Sequence, residues 1–177
     1  MSDKYDGAQL VSLNSYLKHG LLGDSIVAWV GACDVSFEHM VDGEDLLEQA
    51  RIAGDKMLHF IVEKFDISLY AAVALQRLLA SIVKDQLLTM SKEKLFREGD
   101  DIYLDDRKLS ISIATQSPVS SLIHFAVNVT NKGTPVKTLS LEDLGVEAKP
   151  FAIEIMNRFC KETEGIHQAT MKVKWVK

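Results

Sequence analysis

The chain predicts an α+β fold, a mixed or antiparallel sheet with helices packed on it. Three observations carry this. Residues 69–88 form a wide apolar surface interrupted by Arg77, Ser81, Lys84 and Asp85 at helical spacing, which suits a helix lying flat on a sheet. Residues 99–129 hold strands joined by tight turns. The order reads helix, strand, helix, strand, long helix, hairpin, strand, helix, strand, so strands neighbour each other and helices gather on one face.

Taken in order, Asp6-Gly7-Ala8-Gln9 supplies a cap with a glutamine three residues on, and Leu10, Leu13 and Leu17 form a helical stripe ending at Gly20. Residues 25–30 are a nearly continuous apolar run and predict a buried strand. Residues 31–41 predict a loop carrying Cys33, Asp34, Glu38 and His39. Asp42 caps a short helix reaching Ile52, with Glu44 and Asp45 in the first turn, where the helix dipole favours acids. Gly54-Asp55 breaks that helix, residues 57–65 alternate as a strand, and Asp66 or Ser68 opens the long helix.

The hairpin runs from Asp100 to Leu104, turns at Asp105-Asp106, and returns through residues 107–114. Alternation puts Leu109, Ile111 and Ile113 on one side as an apolar back, and Lys108, Ser110, Ser112 and Ala114 on the other. That front, one lysine and a row of small hydroxyls, leaves room for a ligand. A strand over 122–129 follows the turn at Ser117-Pro118. Residues 130–136 predict a polar loop containing Asn131-Lys132-Gly133, and residues 139–144 fit neither pattern. Pro150 opens the last helix, with Phe151, Ile155, Met156 and Phe159 as its inner stripe and Gly165 as its stop. The tail sets Ala169, Met171, Val173 and Trp175 against Gln168, Thr170, Lys172 and Lys174, predicting a final strand whose lysines protect an edge.

At 177 residues the chain predicts one domain, residues 1–177, able to bury a real core. Apolar residues at 47%, charged residues at 25% and a net charge of −5 describe an ordinary globular protein without the basic footprint of a nucleic-acid binder. MSDKYDGAQL lacks the basic-then-apolar pattern of a signal peptide, and no apolar run approaches the roughly 20 residues of a membrane span. Cys33 and Cys160 belong to no CxxC pair, so the expected setting is a reduced cytoplasm.

Lys108 is the first candidate for chemistry, set against the common fate of a lysine beside a turn, which is solvation. Asp34, Glu38, His39 and Asp42 have the chemistry of metal ligands without a recognised spacing. Asp42, Glu44 and Asp45 read better as helix-capping acids, while Glu38 and His39 stay open. Cys33 is a nucleophile if His39, His59 or His124 serves as its base, and otherwise a small core residue. His59 and His124 fall in strands, where hydrogen-bonded core histidines are the commoner case.

Asp100-Asp101-Ile102-Tyr103-Leu104, then Arg107-Lys108-Leu109-Ser110-Ile111-Ser112, resembles the hairpin of the biotin and lipoate protein ligases. There the segment is close to asparagine-aspartate-hydrophobic, a short turn, and arginine-lysine-hydrophobic-serine-glycine. His124-Phe125-Ala126-Val127-Asn128-Val129 is similar to their glycine-hydrophobic-glycine-hydrophobic-asparagine-valine strand. Over nearly its whole length, and through GDSIVAWVGACDV, EHMVD and MLHFIVEKFD, the chain resembles domain-of-unknown-function family 366, which shares that ligase-like, class II synthetase-like fold. The resemblance implies that Lys108 meets an acyl group and an adenylate phosphate. It also implies that Ser110, Ser112 and Asn128 line the pocket, and that His124, standing for a glycine, fills part of it.

One segment departs from the ligases. Where they carry a basic pair, three glycines, a valine and a histidine-aspartate pair, this chain has Trp29, Val30, Gly31, Cys33 and Asp34. Gly31, Cys33 and Asp34 thus become candidates for ligand contact, but Asp34 and Glu38 add negative charge where a triphosphate would lie. Like charges about 4 Å apart at an effective dielectric near 20 repel by roughly 4 kcal/mol.

Three readings follow: an acyl ligase or acyltransferase acting on a carboxylic acid such as lipoate, octanoate or biotin, with ATP and Mg; a non-catalytic relative binding a small ligand or partner on the same face; or a metal- or cysteine-dependent enzyme using segment 33–42. Oligomeric state is not readable from the sequence; the amphipathic tail is able to pair with a second subunit, and the resemblance makes a homodimer plausible.

Overall fold

A computed structural model describes residues 4–176. The first three residues of the N-terminal stretch read above, and Lys177, lie outside the described residues. Strands β1 (Ser25–Asp34), β2 (Ala53–Phe65), β7 (Ser120–Asn128) and β6 (Ser110–Gln116) form an antiparallel sheet in the order β1-β2-β7-β6. A three-stranded sheet of β3 (Phe96–Glu98), β4 (Asp101–Leu104) and β5 (Arg107–Lys108) stands beside it. Helices α1 (Asn14–His19), α2 (Gly43–Glu48), α3 (Leu69–Met90) and α4 (Ala148–Thr170) complete the chain.

The two long helices cover one face of the large sheet. Leu79, Ala80, Val83 and Leu87 of α3, with Phe151, Ala152, Ile155 and Phe159 of α4, pack on Leu58, Phe60 and Val62 of β2 and on Ile123, Phe125 and Val127 of β7. Of the two starts the sequence offers, Asp66 and Ser68, it is Ser68 that caps α3, accepting a hydrogen bond from the Ala71 N–H. Asp42 likewise caps α2, accepting from Glu44 N–H at 2.9 Å and Asp45 N–H at 3.2 Å.

Several expectations are corrected. The strand predicted to end at residue 30 continues to Asp34, with a bulge between Gly31 and Cys33, because Tyr5 pairs alongside Cys33 and supplies backbone partners there. Gly54 and Asp55 lie within β2 rather than breaking a helix, and α2 ends at Glu48. The Asp6–Gln9 side-chain bonds form, but a turn follows them; the helix begins only at Asn14, and Leu13 and Leu17 are exposed.

Residues 107–114 do not form one strand. Lys108 bridges to Thr138 and pairs with Tyr103, so the chain passes from the small sheet to the large one at Leu109. The expected orientation of β6 is also reversed. Directly opposed residues of an antiparallel pair share a face. Ser112 opposes Phe125 and Ser110 opposes Val127, on the helix side, while Ile113 opposes His124 and Ile111 opposes Ala126, on the uncovered side.

Gly165 does not stop α4, because a glycine costs only about 1 kcal/mol in a helix interior and the turns on either side carry it. The predicted final strand is absent: α4 continues to Thr170, and Met171, Val173 and Trp175 are exposed without a strand partner among the described residues. No helix among the described residues is long and apolar enough to cross a membrane.

Candidate functional site

The face of the large sheet away from the long helices holds a cavity of about 430 Å³. Met57 of β2 and Ile111 and Ile113 of β6 give it an apolar floor. Lys108 stands at one end, and His124 reaches it from β7. Acids from the loop-and-helix rim and the small sheet, Asp42, Glu44, Asp45, Asp100 and Asp101, meet the cavity beside Lys108 and Arg51.

Lys108 is positioned by backbone bonds on both sides, its N–H donating to the Lys137 carbonyl and its carbonyl accepting from the Leu139 N–H. The Asn128 side-chain amide adds bonds to the carbonyls of Lys108 (3.2 Å) and Leu139 (3.1 Å). The predicted ligand-contacting asparagine therefore ties β7 to the segment that holds the lysine. The Lys108 ammonium lies 2.7 Å from an Asp101 carboxylate oxygen, both half-buried. Burial pushes the Asp101 carboxyl above its ordinary range, and Lys108 pulls it back only in part. Asp45 is raised for similar reasons, burial first and then the neighbouring Asp42, with Lys108 opposing.

The serines do structural duty at the cavity's edge. Ser110 is fully buried and its hydroxyl accepts from the Ile102 N–H at 3.0 Å. The Ser112 hydroxyl donates to Asp100 at 2.6 Å while accepting from the Gln76 amide at 2.8 Å, and the same amide also donates to Asp100. Each hydroxyl thus has an internal partner.

Segment 33–42 divides. Gly31 and Cys33 lie in β1 and Asp34 at its end. Cys33 packs among Tyr5, Met57, Ile61 and Ala126, and burial together with Asp34 pushes its thiol up to about 12, away from thiolate chemistry. Asp34 pairs with Lys4 at 2.8 Å and Arg51 at 3.5 Å, and its hydrogen bond from Lys4 lowers its pKa. His39 contributes to the cavity wall with Nδ1 3.2 Å from the Ser36 hydroxyl, Asp42 is engaged as a helix cap, and Glu38 is exposed. Among the described residues no group of three His, Cys, Asp or Glu side chains is placed to hold a metal ion.

Beneath the cavity His59 and His124 form a buried pair, Nδ1 of the first 3.1 Å from Nε2 of the second. His59 Nε2 faces the Gly31 carbonyl at 3.3 Å. Tyr5 stacks on His124 with ring centres 3.7 Å apart, and Trp29 stacks on His59 at 5.1 Å. Burial lowers both imidazoles: His59 to about 4, and His124 well below its ordinary value, with His59 as a further cause. Core histidines are what the strand positions predicted. Their direct contact, and the recruitment of Tyr5 from the N-terminal segment, were not legible, since the residues are far apart in sequence. Asp101 was legible within the hairpin motif and stands out once its contact with Lys108 is seen.

The overall fold is that of the biotin protein ligase catalytic domain. The Aquifex aeolicus biotin protein ligase in complex with biotin and ATP superposes with a TM-score of 0.59 at 12% identity, covering 90% of this chain and 67% of that one. A protein of unknown function from Pyrococcus horikoshi superposes with a TM-score of 0.96 at 40% identity, covering 100% of this chain and 95% of that one. An uncharacterised protein of Methanocaldococcus jannaschii is 35% identical over 175 residues, 95% of this chain and 79% of its own length. Residues 2–174 match the family described as Domain of unknown function (DUF366), and the chain belongs to that family.

Proposed function

We propose that the chain binds a small carboxylic acid of the acyl class in the cavity on the uncovered sheet face, with Lys108 meeting the acid's carboxylate. The observation that carries this is one cavity in which a half-buried lysine ammonium borders an apolar floor of Met57, Ile111 and Ile113. An ammonium beside low-dielectric walls gives a carboxylate a charge-assisted partner, and the floor takes an aliphatic body.

ATP with Mg is what the ligase-like fold implies as the activating partner. The residues present do not fit a bare triphosphate. β1 continues as a strand through Gly31 and Cys33 instead of opening into a glycine cradle. Asp42, Glu44, Asp45, Asp100 and Asp101 outnumber Lys108 and Arg51 around the cavity. These two features favour a binding protein without ATP activation of its own over an adenylating ligase.

Calorimetric titration with lipoate, octanoate and biotin, run beside ATP–pyrophosphate exchange in magnesium, separates the cases. Binding without exchange, weakened by Lys108→Ala, is the expected result. Exchange with one acid, abolished by Lys108→Ala, would establish an adenylating enzyme. A folded protein that binds none of the acids overturns the reading.

A further inference from the structure

The buried histidine pair has a determinate arrangement of protons. A carbonyl oxygen only accepts, so the His59 nitrogen facing the Gly31 carbonyl, Nε2, bears the hydrogen. Neutral His59 therefore presents a lone pair at Nδ1. The His124 nitrogen 3.1 Å away, Nε2, must donate to it. The hydrogen of neutral His124 is thereby committed to Nε2, and its Nδ1 is left as an acceptor. His124 borders the cavity, is 3% exposed, and its Nδ1 has no protein partner among the described residues. The Tyr5 ring, stacked within 11° of parallel, fixes the imidazole plane.

At the cavity's border this lone pair is open to a donor from a ligand, and an O–H or N–H placed there completes the ring's hydrogen bonding. From this geometry we propose that His124 Nδ1 selects ligands carrying an O–H or N–H donor at the end remote from their carboxylate. The Gly31–His59–His124 chain sets the polarity of this anchor, with His59 as a positioning residue. The inference rests on the carboxylic-acid reading and narrows it. His124 stands four residues along β7 from Asn128, whose amide bonds the Lys108 carbonyl. That is about 13 Å of strand between His124 and the segment that holds Lys108, so a ligand meeting both residues carries its donor and its acid on separate ends.

Two measurements on the full chain test this. Long-range ¹H–¹⁵N NMR of histidine-labelled protein reads the tautomers directly. Both rings protonated at Nε2 is expected, and a His124 hydrogen on Nδ1 overturns the proposal. Calorimetry then compares 8-hydroxyoctanoate with 8-methoxyoctanoate, matched acids of which only the first donates from its tip. About tenfold tighter binding of the hydroxy acid is expected, with the preference lost in His124→Phe, which keeps a ring against Tyr5. Equal affinities for the wild type overturn the selectivity while leaving the carboxylic-acid reading intact. Failure of both acids to bind overturns the two together.

Discussion

The two faces of the four-stranded sheet are built from the same strands to opposite ends. Under the long helices, Phe60 and Phe125 are fully buried in a continuous apolar layer whose substitution should be felt as stability. On the other face the same strands present His59, His124 and Asn128 among a few apolar residues, and there the chain leaves a cavity. Alternation along β2 and β7 keeps the two roles apart at one-residue spacing. Polar chemistry is thus kept on a rigid platform without breaching the core that holds it.

The contrast is sharpest when a residue from each face is removed. Phe125→Ala should destabilise the fold by about 3–5 kcal/mol, through lost burial and the cavity left behind, as read by chemical denaturation. A loss under 1 kcal/mol would show that the helix-covered face is not the main core.

Acid should act on the opposite face. The unfolded chain protonates His59 near pH 6.5, whereas in the fold that ring stays neutral until about 4. Its contribution is present above pH 6.5 and is lost as pH falls toward 4, a loss of about 3 kcal/mol from this ring alone. The raised Asp101 carboxyl works in the other direction, because the fold then holds a proton more readily than the unfolded chain does. Denaturation midpoints measured from pH 7.5 to 4 should fall, and His59→Phe should flatten the slope. A flat wild-type profile would break the picture of a neutral buried pair.

At the polar end of the cavity, Lys108→Ala should weaken binding of an acyl acid about 10- to 100-fold while changing stability little, because its ion pair with Asp101 is partly solvated. Titration calorimetry beside a melting curve checks both halves. The smallest effect belongs to the rim. Asp42→Ala removes the cap of α2 and should cost about 1 kcal/mol by denaturation.

The sequence by itself determined the run of α3, the cap on α2, the strand over β7, and the hairpin with Lys108 beside an acidic turn. These are local: a capping hydroxyl, a helical spacing or a run of apolar residues acts within a few positions, so its consequence is written where it occurs. The motif around Lys108 also carried the fold class.

What tertiary structure decided was pairing and direction. Alternation in residues 107–114 was visible, but which side faced the helices was not. A period of two defines two faces without saying which is covered, and the passage between sheets at Leu109 set the serines opposite helix-side residues while both still border the cavity. The tail's alternation likewise needed a partner strand to become β-structure, and none among the described residues supplies it. The histidine pair depends on β2 and β7 being adjacent in register, and Tyr5 on the N-terminal segment bridging to Cys33. Only in that assembly does His59 find both an acceptor in the Gly31 carbonyl and a donor in His124, because hydrogen bonds between residues 65 positions apart exist only once the sheet has brought them together.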